Sequence, residues 1–217
     1  LSTVHCRMKA SLPHILILVT DQFRYDAVSP IITPNLHALE QRNGSTTFHR
    51  AYTSTPTCTP ARAALLTGKS PWAHGMLSYS QYTGCANYPT TYPRVFRDDM
   101  GYRTMAVGKN HFGPIKHVQG FQNETLYDGL SFYQDDYDDW FNQSLPNVNP
   151  LATCQLDWND WPACPYAFEE YLHPTTWTTR QALNYLEHHF ADQSQDGDVP
   201  PLLLKVSYHR PHSPYDP

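Results

Sequence analysis

The sequence predicts an α/β domain built on a mostly parallel sheet flanked by helices. Three observations carry that reading. Ile15-Leu16-Ile17-Leu18-Val19, entered from His14, is continuously apolar and closes on Thr20-Asp21, as a strand buried in a parallel sheet does. Helical patterns with start and stop signals alternate with further short apolar runs, the βαβα order of such folds. Three of the strands run into chemically active residues: Asp21-Gln22, then Lys109 and His111, then His209 and His212. A parallel sheet gathers such ends at one edge.

The first strand is expected at the centre of the sheet, covered on both faces. A helix follows over 34–42, with Thr33 before Pro34, Leu36 and Leu39 facing inward, and Gly44 past its end. Residues 46–53 read as a second strand. Cys58-Thr59-Pro60-Ala61-Arg62 then feeds Ala63-Ala64-Leu65-Leu66 and Thr67-Gly68, a loop entering a short helix with Pro60 in its first turn. Residues 92–100 read as a helix closed by Gly101, and 102–107 as a strand ending in Gly108-Lys109-Asn110-His111-Phe112-Gly113. From 118 to 165 the pattern dissolves into aromatic, acidic and proline-rich sequence, read as a long loop excursion within one domain spanning 1–217. A helix over 175–190 offers Trp177, Ala182, Leu183, Tyr185 and Leu186 as apolar positions. Residues 202–208 form the last strand, running into His209-Arg210-Pro211-His212-Ser213-Pro214.

Composition bounds the function. Aromatic content of 13% with 16% charged residues belongs to a folded chain, and 19 prolines imply long, stiffened loops. A net charge of −5 argues against an extended nucleic-acid footprint. No apolar stretch reaches the roughly 18 residues of a spanning helix, and no signal-peptide pattern opens the chain. Three sequons, at Asn43, Asn123 and Asn142, favour a secretory route. Cys154 and Cys164 bracket a Trp- and Pro-containing loop and are expected to form a disulfide, while Cys6 and Cys85 pair or stay free. Cys58 is then the odd cysteine.

Cys58 sits where unpaired backbone N–H groups and the positive end of a helix dipole favour an anionic ligand. Arg62 is one turn away, a permanent charge suited to sulfate or phosphate. A nucleophile and an anion clamp within five residues make a reactive-site arrangement. His74 and His117 have no motif around them, His209 is read as a bystander, and the acidic run 135–139 is read as a solvated loop.

With these pieces in order, the sequence resembles a type I, formylglycine-dependent sulfatase of the alkaline-phosphatase-like superfamily. The carriers are the strand before Asp21-Gln22, Cys58-Thr59-Pro60-Ala61-Arg62 with Leu66-Thr67-Gly68, Gly108-Lys109-Asn110-His111-Phe112-Gly113, and Pro211-His212-Ser213-Pro214. The resemblance implies that Cys58 is converted to formylglycine by the formylglycine-generating enzyme, and that its hydrate attacks sulfur and then expels sulfate. It implies a divalent cation, Ca²⁺ before Mg²⁺ or Mn²⁺, on Asp21, Gln22 and the modified Cys58. It implies that Arg62 holds the hydrated aldehyde, Lys109 contacts sulfate, His111 assists the nucleophile's proton, and His212 assists the leaving group. The substrate is then a sulfated small molecule or glycan, the location lysosomal or extracellular, and the aromatics of 121–161 shape the pocket mouth.

The chain departs from the family pattern where Gln22 replaces a second carboxylate and Ala61 a common Ser. It also matches only the family's N-terminal portion, so the 217-residue product is expected to bind metal weakly on its own. Two other readings stand beside the first: a phosphonate or phosphate ester hydrolase with the same motif, and a non-catalytic fragment of the fold.

Overall fold

A computed structural model describes residues 12–78, 88–113, 115–116, 119–129, 134–150, 160–191 and 199–216. Four parallel strands form one sheet in the order β1-β4-β2-β3, where β1 is Ile15–Thr20, β2 is Arg103–Gly108, β3 is Asn123–Leu126 and β4 is Leu202–Tyr208. The helices are α1 (Pro34–Glu40), α2 (Cys58–Thr67), α3 (Pro71–His74), α4 (Tyr92–Asp98), α5 (Asp136–Ser144) and α6 (Pro174–Ala191). The predicted fold class holds.

The two faces of β4 sort by the period-two rule of a strand. Leu202, Leu204 and Val206 face one way and join Met105, Val107 and Ala182 of α6 in a core cluster that Tyr185 and Leu186 flank. Lys205 and Ser207 face the other way, toward the side where α2 lies; there Ala63, Leu66, Met76 and Phe112 form a second cluster. A third cluster joins Tyr127, Tyr137, Phe141, Leu172 and Trp177.

Several expectations are corrected. β1 is an edge strand among the described residues, and its burial alternates, with Leu16 and Leu18 about half exposed. Leu36 and Leu39 are exposed rather than inward, and α1 buries none of its residues. Residues 46–53 form no strand: all eight are exposed, and none pairs with the sheet. Leu183 is 51% exposed, so α6 turns Trp177 and Ala182 inward instead. Within 118–165 lie β3, which pairs with β2, and α5. Asp135 is not loop-solvated: it caps α5, its carboxylate accepting from the Asp138 N–H at 3.0 Å. Cys6, Cys85, Cys154 and His117 lie outside the described residues.

Candidate active site

Three strand ends lie level. Thr20 of β1 pairs with Tyr208 of β4, and Gly108 of β2 pairs with Ser207. Asp21, Lys109 and His209 therefore leave the sheet at one edge. The Asp21 N–H donates to the Tyr208 carbonyl at 3.1 Å and the Lys109 N–H to the Ser207 carbonyl at 2.8 Å. Gly108 makes this possible. Its φ is +83°, and a Cβ there would stand 2.0 Å from the Ser207 oxygen. Only glycine combines that φ with that approach.

Lys109 Nζ lies 2.5 Å from Asp21 Oδ2, and Arg62 Nη2 lies 3.5 Å from the same oxygen. Arg62 reaches there from α2, donating through Nη1 to the Lys109 carbonyl at 2.7 Å and to Ser207 Oγ at 3.0 Å. Lys205 Nζ donates to the same Lys109 carbonyl at 3.1 Å and to Asn110 Oδ1 at 2.7 Å. All three cations are buried. Burial alone would raise the Asp21 carboxyl, but Lys109 and Arg62 outweigh it and hold the group ionised below its ordinary value. Burial lowers the Lys109 ammonium, opposed by Asp21. Burial, then Arg62, brings Lys205 down to about 7.

His111 is buried and sits at φ +65°, a left-handed backbone that costs an L-residue about 1–2 kcal/mol. Among the described residues two other non-glycine positions share that region, and one of them is Gln22 at φ +57°. Such strain persists where the surroundings fix it and clusters at functional sites. Burial, then the charges of Lys109 and Arg62, push the His111 imidazole down to about 2, so the ring is neutral at any working pH. His212 is buried, and its Nδ1 lies 2.7 Å from the Ser213 carbonyl. A carbonyl only accepts, so Nδ1 carries the proton and Nε2 keeps its lone pair. Burial and Lys109 lower its basicity.

Cys58 is a free thiol and the first residue of α2, so its own N–H belongs to the unpaired set at the helix start. Asp21, Cys58 and His212 each bring a ligand atom within 4.8 Å of the others. A carboxylate and a Gln carbonyl suit a hard divalent cation, whereas a thiol does not; oxygen in place of Sγ would make position 58 a hard donor as well. The residues that meet here, Asp21, position 58 and His212, fit part of a cation site, and Gln22 is on the wall of the cavity beside them. An open cavity of about 610 Å³ reaches Asp21, Gln22, Cys58 and Arg62, with Phe23 and Tyr52 on its walls.

The seven predicted site residues thus fall into two groups. Asp21, Arg62 and Lys109 are joined by ion pairs and hydrogen bonds, with Cys58 and His212 beside Asp21. Gln22 is exposed on the cavity wall, and His111 is buried near the charges of Lys109 and Arg62. Phe121, Tyr127, Tyr137 and Phe141 do not shape the mouth; they are buried in the fold, and Phe23 and Tyr52 take that place. His209, read as a bystander, is buried with its ring tilted against that of His212 at 4.7 Å between centroids, and Arg210 Nη1 lies 2.8 Å from its Nδ1. Sequence reading missed Ser207, Lys205 and Asp128. Ser207 and Lys205 alternate on β4 with apolar neighbours, and that polar interruption of a buried strand was the available signal.

The family model for sulfatases matches residues 13–217. The chain is 34% identical to an arylsulfatase of Clostridium perfringens over 94% of this chain and 44% of that protein. It is 29% identical to a choline-sulfatase of Rhizobium meliloti over 96% of this chain and 40% of that protein. The fold is shared with the phosphonate monoester hydrolase of Agrobacterium radiobacter, at a TM-score of 0.70 and 21% identity over 95% of this chain and 42% of that one. The chain spans less than half the length of these relatives.

Proposed function

Because this chain belongs to the sulfatase family, we propose that it carries the nucleophile-bearing part of a sulfuric ester hydrolase acting on a sulfated small molecule or glycan. The observation that supports this best is the meeting of Asp21, Cys58, Arg62, Lys109 and His212 at one sheet edge. Converted to formylglycine and hydrated, position 58 supplies an oxygen nucleophile, and a divalent cation, Ca²⁺ by preference, lowers its pKa and screens the ester's charge.

The chain's own residues do the rest. Asp21 and Gln22 give two oxygen ligands toward the cation. Arg62, fixed by the Lys109 carbonyl and Ser207, orients position 58 without moving when substrate arrives. Lys109 meets the sulfate oxygens from a site where burial keeps water from screening its charge. Neutral His111 presents one ring nitrogen as a hydrogen-bond acceptor toward the nucleophile's hydroxyl and adds no charge of its own. His212, with its Nδ1–H on Ser213, takes up a proton at Nε2 before it passes one to the leaving oxygen. Modification of Cys58 by the formylglycine-generating enzyme, glycans at the three sequons and a lysosomal or extracellular location complete the reading.

Intact-mass analysis of the peptide containing Cys58 tests it, together with hydrolysis of 4-nitrophenyl sulfate set against a phenylphosphonate ester. Conversion of CH₂SH to CHO with preferred sulfate hydrolysis is expected. An unmodified thiol in active secreted protein, or undiminished hydrolysis by Cys58→Ala, overturns it.

A further inference from the structure

The strained backbone of His111 needs a restraint, and the structure supplies one from outside the motif that holds His111. β3 carries the chain beside β2, and the Tyr127 N–H donates to the Gly108 carbonyl at 3.3 Å. The next residue, Asp128, is 1% exposed. Its Oδ1 accepts from the Asn110 N–H at 2.8 Å and from the His111 N–H at 3.0 Å, and its Oδ2 accepts from the His111 N–H at 3.1 Å. Two successive N–H groups converging on one carboxyl group form a nest, a geometry that goes with a left-handed residue; burial raises the Asp128 carboxyl, and these two N–H groups oppose that rise. Asp128 is itself anchored: its N–H donates to Asp135 Oδ2 at 2.7 Å, and Asp135 caps α5. The Asn110 side chain is held from other directions, by Lys205 at 2.7 Å, Gln119 at 3.1 Å and Glu124 at 3.2 Å.

We propose that Asp128 is a positioning residue for ester hydrolysis: its carboxylate clamps the Asn110-His111 turn and so sets where the His111 ring stands relative to Lys109 and position 58. The kinetic side of this inference rests on the sulfatase reading; the structural side does not. A carboxylate held this way is costly to bury, which a merely structural loop would not require, since water could satisfy two N–H groups at a surface. Asp128→Asn keeps one oxygen where Oδ1 now serves both donors, so it should keep part of the clamp. Asp128→Ala keeps none.

The test uses both variants in protein that hydrolyses 4-nitrophenyl sulfate, alone and combined with His111→Ala. Asp128→Ala is expected to lower kcat about 100-fold with KM within about twofold, the mark of a misplaced group that works in the transition state. Asp128→Asn falls between. On the His111→Ala background the Asp128 change is expected to cost less than about twofold, because the interaction it serves is gone. Equal costs on both backgrounds, or a raised KM with unchanged kcat, overturn the proposal. Should Asp128→Ala fail to fold, the cycle runs with Asp128→Asn. Backbone amide NMR gives a readout free of activity: the Asn110 and His111 amide protons lie downfield in the parent and move upfield in both variants. Should the parent hydrolyse no sulfate ester, the functional reading falls while these shifts still decide the clamp; unmoved amide protons overturn it.

Discussion

Replacing Gly108 by Ala tests the level strand ends on which the site depends. The new Cβ would stand 2.0 Å from the Ser207 carbonyl oxygen, at φ +83°. Ordinary carbon contacts lie near 3.5 Å, so β2 and β4 must separate by about 1–1.5 Å. The left-handed backbone costs an L-residue about 1–2 kcal/mol. Overpacking in a core costs about 1–3 kcal/mol more, for a sum of about 2–5 kcal/mol. A domain of this size loses about 2–4 °C of Tm per kcal/mol, so a drop of roughly 5–15 °C is expected by scanning calorimetry. Gly101→Ala is the matched control: φ is +73°, but nothing lies within 4 Å of its Cβ. It carries the backbone cost of about 1–2 kcal/mol and no clash. The difference between the two variants isolates the approach to Ser207. The same shift moves the carbonyl that receives the Lys109 N–H and the hydroxyl that receives Arg62. Hydrolysis should therefore fall about 100-fold in Gly108→Ala and little in Gly101→Ala. Melting of Gly108→Ala within about 2 °C of Gly101→Ala would refute the argument.

Asp21→Asn leaves Lys109 and Arg62 buried without their carboxylate, and loss of one partner of a buried pair costs about 3–5 kcal/mol. Urea unfolding should show that loss, and adding Lys109→Met should recover part of it; an unchanged midpoint in Asp21→Asn sinks the prediction. Lys205 falls to about 7 in the fold, from an ordinary 10.5. Between those values the unfolded chain holds a proton that the folded one has released, so stability rises with pH there and the penalty is complete below about 7. The Tm of the parent, relative to Lys205→Met, should climb from pH 7 toward pH 10; a flat difference contradicts the burial argument. The His111 ring, pushed down to about 2, should show no NMR titration at mildly acid to neutral pH. Below its ordinary 6.5 the unfolded ring gains a proton that the folded ring refuses, so acidification costs stability down to about 2. An inflection near 6.5 would place the ring in water.

Most of the order of elements was readable because β1, β2, β4 and the helices beside them carry their own signals. The apolar run at Ile15 to Val19, Pro34, Gly68 after α2 and Gly101 after α4 each mark an element from local chemistry alone. The strand expected at 46–53 and the inward faces of Leu36 and Leu39 failed because apolar and β-branched residues state a preference, while partners decide burial; none covers them among the described residues. β3 was missed for the opposite reason. Asn123-Glu124-Thr125-Leu126 has no apolar pattern of its own and is a strand because β2 lies beside it. The motif residues of the site were legible as a set, since each follows a strand or opens a helix. Asp128 was not: its role is to meet N–H groups 17 and 18 positions earlier, and backbone donors leave no mark on a sequence.

The same contrast explains how the site tolerates its own charge. Arg62 and Lys205 both donate to one oxygen, the carbonyl of Lys109, whose side chain is a third cation. In a medium of low effective dielectric such crowding is unfavourable unless something answers it. The answers differ by position. Asp21 faces Lys109 and Arg62 and stays ionised. Burial, then Arg62, brings Lys205 down to about 7, so it gives up its proton more easily than an exposed lysine. His111 is held neutral by burial and by Lys109, and the same two causes lower His212. Asp21 and Asp128 both feel the charges of Lys109 and Arg62, and Asp21 and Arg62 also line the open cavity. On the sulfatase reading, Arg62 is the charge that an anionic ester would meet in that cavity.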